Sequence, residues 1–218
     1  MKKNFSCFRA LCSVVVLLCL TVAIYSGNEL WKIRSDYRAE AEMHSAVMVY
    51  KPEPEQIINQ SVIDLQAKYP DVVGWLTVPG TKIDYPFVQY DDNDFYLRRD
   101  LNGKYATAGT LFMDFRNEPD FSSGNTIIYG HHMKNGSMFG TLKTFADSDF
   151  FEANRHGTIF LPHETLTLEF FDYRIVESTD PEIYSVDRDE FDGRIVTLST
   201  CAYDFDGARI VLLAKIII

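Results

Sequence analysis

Ala10 to Gly27 (ALCSVVVLLCLTVAIYSG) is uncharged and mostly apolar, and this stretch constrains the rest of the chain. At about 1.5 Å per residue, a helix of this length just reaches across a bilayer core of about 30 Å. Lys2, Lys3 and Arg9 precede it, which places the N-terminus in the cytoplasm and the bulk of the chain outside. A cleaved signal peptide is the competing reading. The bulky Ile24 and Tyr25 leave no small-x-small cleavage site, so an uncleaved anchor is expected. The expected organisation is a cytoplasmic N-terminus (1–9), a transmembrane signal anchor (10–27), a juxtamembrane helix and linker (28–54) and an extracellular domain (55–218).

Of the 21 basic residues three precede the anchor, so the remainder carries 18 basic against 31 acidic residues, a net charge of −13. Such a surface repels polyanions, and no nucleic-acid role is expected. Cys7, Cys12 and Cys19 lie in or beside the anchor, leaving Cys201 alone in the outer domain and excluding a disulfide within it. A lone thiol facing an oxidising medium is a hazard unless it is deeply buried or put to use.

Helix formers dominate Asn28 to Tyr50, and Lys51-Pro52-Glu53-Pro54 interrupts them. Glu55 to Lys68 reads as a second helix, with Ile57, Ile58, Val62 and Leu65 on one face. The sequence then becomes β-like. Extended runs are predicted at Val73–Val78, Ile83–Val88, Gly109–Phe115, Asn125–Tyr129, Thr158–Leu161, Leu166–Val176 and two final segments. Asp91–Arg99 reads as a helical turn, and Ser137–Phe151 as a helix with Met138, Leu142 and Phe145 facing the core. About eight short strands with glycine-rich turns predict a mainly β (α+β) fold, a barrel or sandwich with N-terminal helices.

Arg194 to Cys201 reads as a buried strand, Asp206-Gly207 as a turn, and Ala208 to Ile218 as a returning strand. Paired as a hairpin, they put Cys201 at the end of one strand and Arg209 at the start of the next. A permanent cation beside a thiol favours the nucleophilic thiolate. An inert buried cysteine beside a surface arginine is the alternative. Among five histidines, His44 lies in the juxtamembrane helix, and His156 and His163 read as loop residues flanking a short strand. His131 comes after the strand Asn125–Tyr129 and one glycine, so a rigid scaffold holds it while the ring stays accessible. His132 is its neighbour, and adjacent side chains in extended backbone point opposite ways, so one of the two can face the thiol. The pair has no accompanying cysteine or carboxylate pattern, and no metal is expected.

Tyr129-Gly130-His131-His132-Met133, Thr197-Leu198-Ser199-Thr200-Cys201 and Arg209, with Gly109–Asp114 and Val72–Leu76, resemble class B sortases from about Glu55 onward. The resemblance implies a closed sortase β-barrel of about eight strands with N-terminal helices, anchored outside a Gram-positive membrane. It implies catalytic roles for Cys201, His131 and Arg209, with no cofactor or metal. Ser199 and Thr200, just before the cysteine, are expected to contact substrate. The implied reaction cleaves a C-terminal sorting motif of secreted proteins after a threonine and passes the acyl group to an amine of a peptidoglycan precursor. The partners would be those secreted proteins, the precursor amine and the membrane.

One stretch departs from the family. Class B members usually carry a long segment with a helix before the cysteine strand, whereas Glu177 to Arg194 is short and acidic here. Ile183 and Tyr184 could line the substrate groove from it, or could simply pack as loop residues. Two other enzymes fit the same residues, a pilin-polymerising sortase that uses a protein lysine and a cell-wall cysteine peptidase. A non-enzymatic, anchored wall-associated domain is the alternative of a different class. Lys215–Ile218 contains no sorting motif, so the chain is not expected to be a sorting substrate itself.

Overall fold

The computed structural model describes residues 2–53, 58–187, 193–201 and 207–217. Side chains are described from residue 12 onward, and that of Cys201 lies outside the described set. The chain divides into two compact units, Met1–Ala41 and Glu42–Ile218.

The first unit is made of helix α1 (Lys2–Val47), whose last turns belong to the second unit. From Cys12 its apolar side chains face outward, with Leu18 64% and Ile24 72% exposed. It is the one described helix long and apolar enough to cross a membrane.

The second unit is a closed barrel of eight strands: β1 (Val72–Thr77), β2 (Asp84–Val88), β3 (Leu111–Met113), β4 (Asn125–Tyr129), β5 (His156–Phe160), β6 (Thr165–Glu177), β7 (Ile195–Cys201) and β8 (Ala208–Ile217). Their order around the barrel is β1-β2-β3-β4-β7-β8-β6-β5, and β5 pairs with β1 to close it. β2–β3 and β4–β7 are parallel pairs, and the other pairs are antiparallel. Closure removes the exposed edges that an open sheet would offer to other chains.

Strand periodicity sorts the apolar residues into an interior and outer layers. Ile210, Leu212 and Ala214 of β8 join Val196 and Leu198 of β7 in the barrel core, beside Phe87, Leu111, Phe139 and Phe170. The alternate residues Val211 and Leu213 face outward and pack with Ile195 and Ile183. On the opposite flank, α2 (Gln60–Lys68) lays Val62 and Leu65 against Trp75, Val88, Phe112 and Phe160. Burying side chains of this size contributes about 1.5–3 kcal/mol each. Asn59, just before α2, is fully buried and donates Nδ2 to the Leu161 carbonyl at 2.6 Å, which ties the helix to the β5–β6 turn.

Several boundaries move. The second helix is described from Gln60, and positions 54–57, which hold the Ile57 of its expected face, lie outside the described residues. The extended run at 109–115 shortens to Leu111–Met113. The 91–99 segment forms a single 3₁₀ turn, Tyr96–Arg98. β5 begins at His156, so that histidine is a strand residue and not a loop residue. The expected Ser137–Phe151 helix is not continuous. Met138 adopts φ 50°, a left-handed value that a right-handed helix cannot contain. A 3₁₀ turn at Leu142–Ala146 comes next, and Asp147 then caps α3 (Ser148–Ala153) by accepting from the Phe150 N–H at 2.9 Å. Met138, Leu142 and Phe145 are nevertheless buried in the core, as their spacing predicts. Among the described residues of the short 177–194 segment there is one helical turn, α4 (Pro181–Tyr184).

Candidate active site

Strand register brings the chemistry-bearing residues to one end of the barrel. Parallel pairing of β4 with β7 sets Tyr129 beside Ser199, and the Gly130 N–H extends the ladder by donating to the Ser199 carbonyl at 3.1 Å. His131 lies two residues beyond Tyr129, and Cys201 two beyond Ser199, so both positions lie at the same end of the barrel. Antiparallel pairing of β7 with β8 sets Cys201 opposite Arg209. Asp204 and Asp206, close to Cys201 in sequence, lie outside the described residues.

Gly130 makes the close approach of this rim possible. A Cβ there would collide with Leu111 Cδ2 and meet Phe139 Cδ2 at 2.8 Å. The His131 carbonyl in turn accepts from the Phe139 N–H at 3.0 Å. The ring itself is held by a main-chain group, with Nε2 lying 2.7 Å from the Leu97 carbonyl. A carbonyl can only accept, so Nε2 carries the proton of the neutral ring and Nδ1 carries the lone pair. Burial holds the His131 pKa below the ordinary histidine value and the Arg98 charge adds to this, while the Leu97 bond acts in the opposite sense. His132 forms a backbone bridge with Met138 and does not line the cavity that His131 enters.

That cavity has a volume of about 360 Å³, and His131, Ser199, Thr200, Arg209, Tyr184 and Leu97 are among its walls. The Arg209 Nη1 folds back on its own strand, donating to the Ala208 carbonyl at 3.0 Å. Thr200 is 3% exposed, and its Oγ1 has no hydrogen-bond partner among the described residues. The Ser199 Oγ lies 2.9 Å from the Tyr184 hydroxyl. Ile183 does not reach the cavity. Its side chain is fully buried with Ile195, Val211 and Leu213, because β-strand alternation leaves an apolar outer face there that α4 covers. Of the two groove candidates in this segment, Tyr184 alone lines the cavity. A larger cavity, about 550 Å³, opens elsewhere, between the start of β1 and the β5–β6 turn, and holds none of these residues.

Sequence reasoning missed the polar wall of the site. Asp114, just past β3, is fully buried. Its Oδ1 accepts from Arg116 Nε at 2.8 Å. Its Oδ2 accepts from Arg116 Nη2 at 2.8 Å, the Tyr129 hydroxyl at 2.9 Å and Asn93 Nδ2 at 3.0 Å. Burial alone would raise the Asp114 pKa, but the Arg116 fork and the Tyr129 hydroxyl outweigh it and hold the carboxyl below its ordinary range. Burial, together with the Asp114 charge, pushes the Tyr129 phenol far up, so it stays a donor. The available signal was a carboxylate and a guanidinium two residues apart at a strand end, Asp114-Phe115-Arg116.

Comparison with known proteins supplies the class. The sortase domain family matches residues 76–217. Sortase B of Listeria monocytogenes is 34% identical over 93% of this chain and 95% of its own length. The structure of sortase B from Bacillus anthracis superposes with a TM-score of 0.69, at 33% identity, over 84% of this chain and 98% of that one. A Streptococcus pyogenes class B sortase involved in pilus biogenesis superposes with a TM-score of 0.64, at 29% identity, covering 71% of this chain and 97% of that one. With sequence, family match and barrel topology in agreement, the chain belongs to the class B sortases.

Proposed function

We propose that this protein is a membrane-anchored cysteine transpeptidase that cleaves a C-terminal sorting motif of secreted proteins after a threonine. It then joins the acyl group to an amine of a peptidoglycan precursor. The observation that carries this reading is the register of β4, β7 and β8, which aligns the positions of His131, Cys201 and Arg209 at one rim. The apolar, outward-facing part of α1 supports an anchor that holds the barrel outside the membrane.

In the first half-reaction the Cys201 thiol gives its proton to Nδ1 of His131, the sulfur bonds to the threonine carbonyl carbon, the C–N bond breaks, and the leaving amine takes that proton from the imidazolium. With Nε2 tied to Leu97, the proton that moves is the one on Nδ1 of the imidazolium. In the second half-reaction the incoming amine attacks the thioacyl carbon, gives its proton to Nδ1, and the C–S bond breaks. Arg209 donates guanidinium N–H groups to the carbonyl oxygen as charge develops on it. The Tyr184–Ser199 hydroxyl pair is among the polar groups of the cavity wall that substrate amides can meet.

Incubating the detergent-solubilised chain with the secreted proteins of its own cell should give a thioacyl adduct on Cys201, identified by mass spectrometry and released by hydroxylamine. Cys201→Ala should form none. Peptide cleavage by the alanine variant would refute the reading. Supplying a cross-bridge amine or a pilin lysine to the trapped adduct separates wall anchoring from pilus polymerisation, an alternative kept in view because one class B relative is involved in pilus biogenesis.

A further inference from the structure

One buried residue, Asn125, ties down the C-terminal end of the short segment that faces the site. Asn125 opens β4 and is fully buried. Its Nδ2 donates to the Ile183 carbonyl at 3.0 Å and the Ser185 carbonyl at 2.8 Å. Its backbone N–H donates to the Val186 carbonyl at 2.9 Å. A one-turn helix leaves its last carbonyls without intrahelical partners. Here, three of the carbonyls at and just beyond the end of α4 converge on one residue. The remaining one, of Tyr184, accepts from Arg116 Nη2 at 3.2 Å.

The orientation of the amide is itself determined. The Ile183 and Ser185 carbonyls can only accept, so Nδ2 faces them, and Oδ1 accepts from the Thr197 hydroxyl at 2.8 Å on the other side. Thr197 is fully buried in β7, four residues before Cys201. At the other end of α4, Asp180 Oδ1 caps the Glu182 N–H at 2.9 Å. Ile183 is packed beneath. What α4 offers to the cavity is therefore the Tyr184 side chain, parallel to Tyr129 at 6.3 Å between ring centroids with 14° between planes.

We infer that Asn125, anchored at Oδ1 by Thr197, is a positioning residue that fixes Tyr184 as a specificity wall of the acyl-donor pocket. The inference rests on the transpeptidase reading. A segment this short has little core of its own, so its geometry comes from the buried amide it is bonded to. Such a wall acts on substrate and transition state alike, so its loss should raise KM and blur peptide choice with little effect on kcat.

The test uses the full-length protein, a library of labelled pentapeptides that each contain one threonine, and hydroxylamine as acceptor. Thr197→Val removes the hydroxyl at nearly constant shape, and Thr197→Ser restores it. Losing one buried hydrogen bond of about 1 kcal/mol corresponds to a KM increase of roughly 5-fold for Thr197→Val. The kcat should stay within about 2-fold, the preference among peptides should flatten, and the amides of 182–186 should exchange faster. Thr197→Ser should behave as wild type. Asn125→Ala should show the same pattern, more strongly, if it folds. Unchanged KM and peptide preference in Thr197→Val would overturn the inference. So would a fall in kcat that tracks a fall in Tm with preference unchanged. A wild-type protein that forms no adduct on Cys201 with any peptide would overturn the transpeptidase reading and the inference with it. Unchanged exchange at 182–186 in Thr197→Val would overturn the positioning role alone.

Discussion

Replacing Arg116 by methionine tests whether the polar wall is held by its charge. The variant leaves Asp114, fully buried, without the two 2.8 Å bonds from the guanidinium. Removing one partner of a buried ion pair costs about 3–5 kcal/mol. Two features reduce that here. The carboxylate keeps the Tyr129 hydroxyl, Asn93 Nδ2 and the Arg116 backbone N–H as donors. The arginine side chain is 42% exposed, so solvent already screens part of the attraction. A loss of about 2–3 kcal/mol at neutral pH remains, equivalent to roughly 4–12 °C in Tm for a domain of this size. The pH dependence has a definite sign. A carboxyl whose pKa is depressed in the folded state adds stability above its ordinary range, and that stability is lost as pH falls through the depressed value. The gap between Arg116→Met and wild type should thus be full at pH 7, narrow as pH falls into the ordinary carboxylate range at about pH 4, and close only below the depressed value. Urea and thermal melts of both proteins at pH 7, 5 and 3.5 measure it. A destabilisation under about 1 kcal/mol at pH 7, or one of equal size at pH 3.5, would refute the argument.

Further consequences concern the rim. His131→Ala should lose transpeptidation by several orders of magnitude while His132→Ala keeps most of it, since only the first ring enters the cavity; the reverse ranking in peptide kinetics would identify the other ring. The His131 ring should titrate below pH 6.5 by NMR, because burial disfavours its charged form, and a midpoint at or above that value would show the ring to be solvated. Gly130→Ala should cost about 1–3 kcal/mol and reduce activity, because Leu111 and Phe139 must move to admit the methyl; an alanine variant with wild-type Tm would show that the core yields freely. Arg209→Lys should lose about 10²–10³ in turnover, almost as much as Arg209→Ala, if two aimed donors and not charge alone act on the oxyanion.

The residues of the rim could be read from the sequence because each sits at the end of a strongly apolar run. Ile195-Val196-Thr197-Leu198 and Asn125–Tyr129 are extended by composition, so the residues directly after them had to emerge at a strand end. The Asp114 wall could not be read in this way. Its carboxylate gathers donors from residues 93, 116 and 129, and no local pattern links three such positions. The discontinuity of the 137–151 helix was hidden for a related reason. Met138, Leu142 and Phe145 have helical spacing, but burial in the core was satisfied by a left-handed residue and two short turns instead.

Apolar periodicity predicted a mainly β domain, and the ends of its strands marked His131, Cys201 and Arg209 as candidates, because those signals are local. Which groove candidate faces the site was decided by the tertiary structure. Ile183 and Tyr184 are adjacent and both apolar enough to be either. Strand alternation in β7 and β8 left an outer apolar face that took Ile183, and the Asn125 amide then turned Tyr184 toward the cavity. A choice made by packing across residues 125, 183 and 197 is non-local, and it exists only once β4, β7 and α4 have come together.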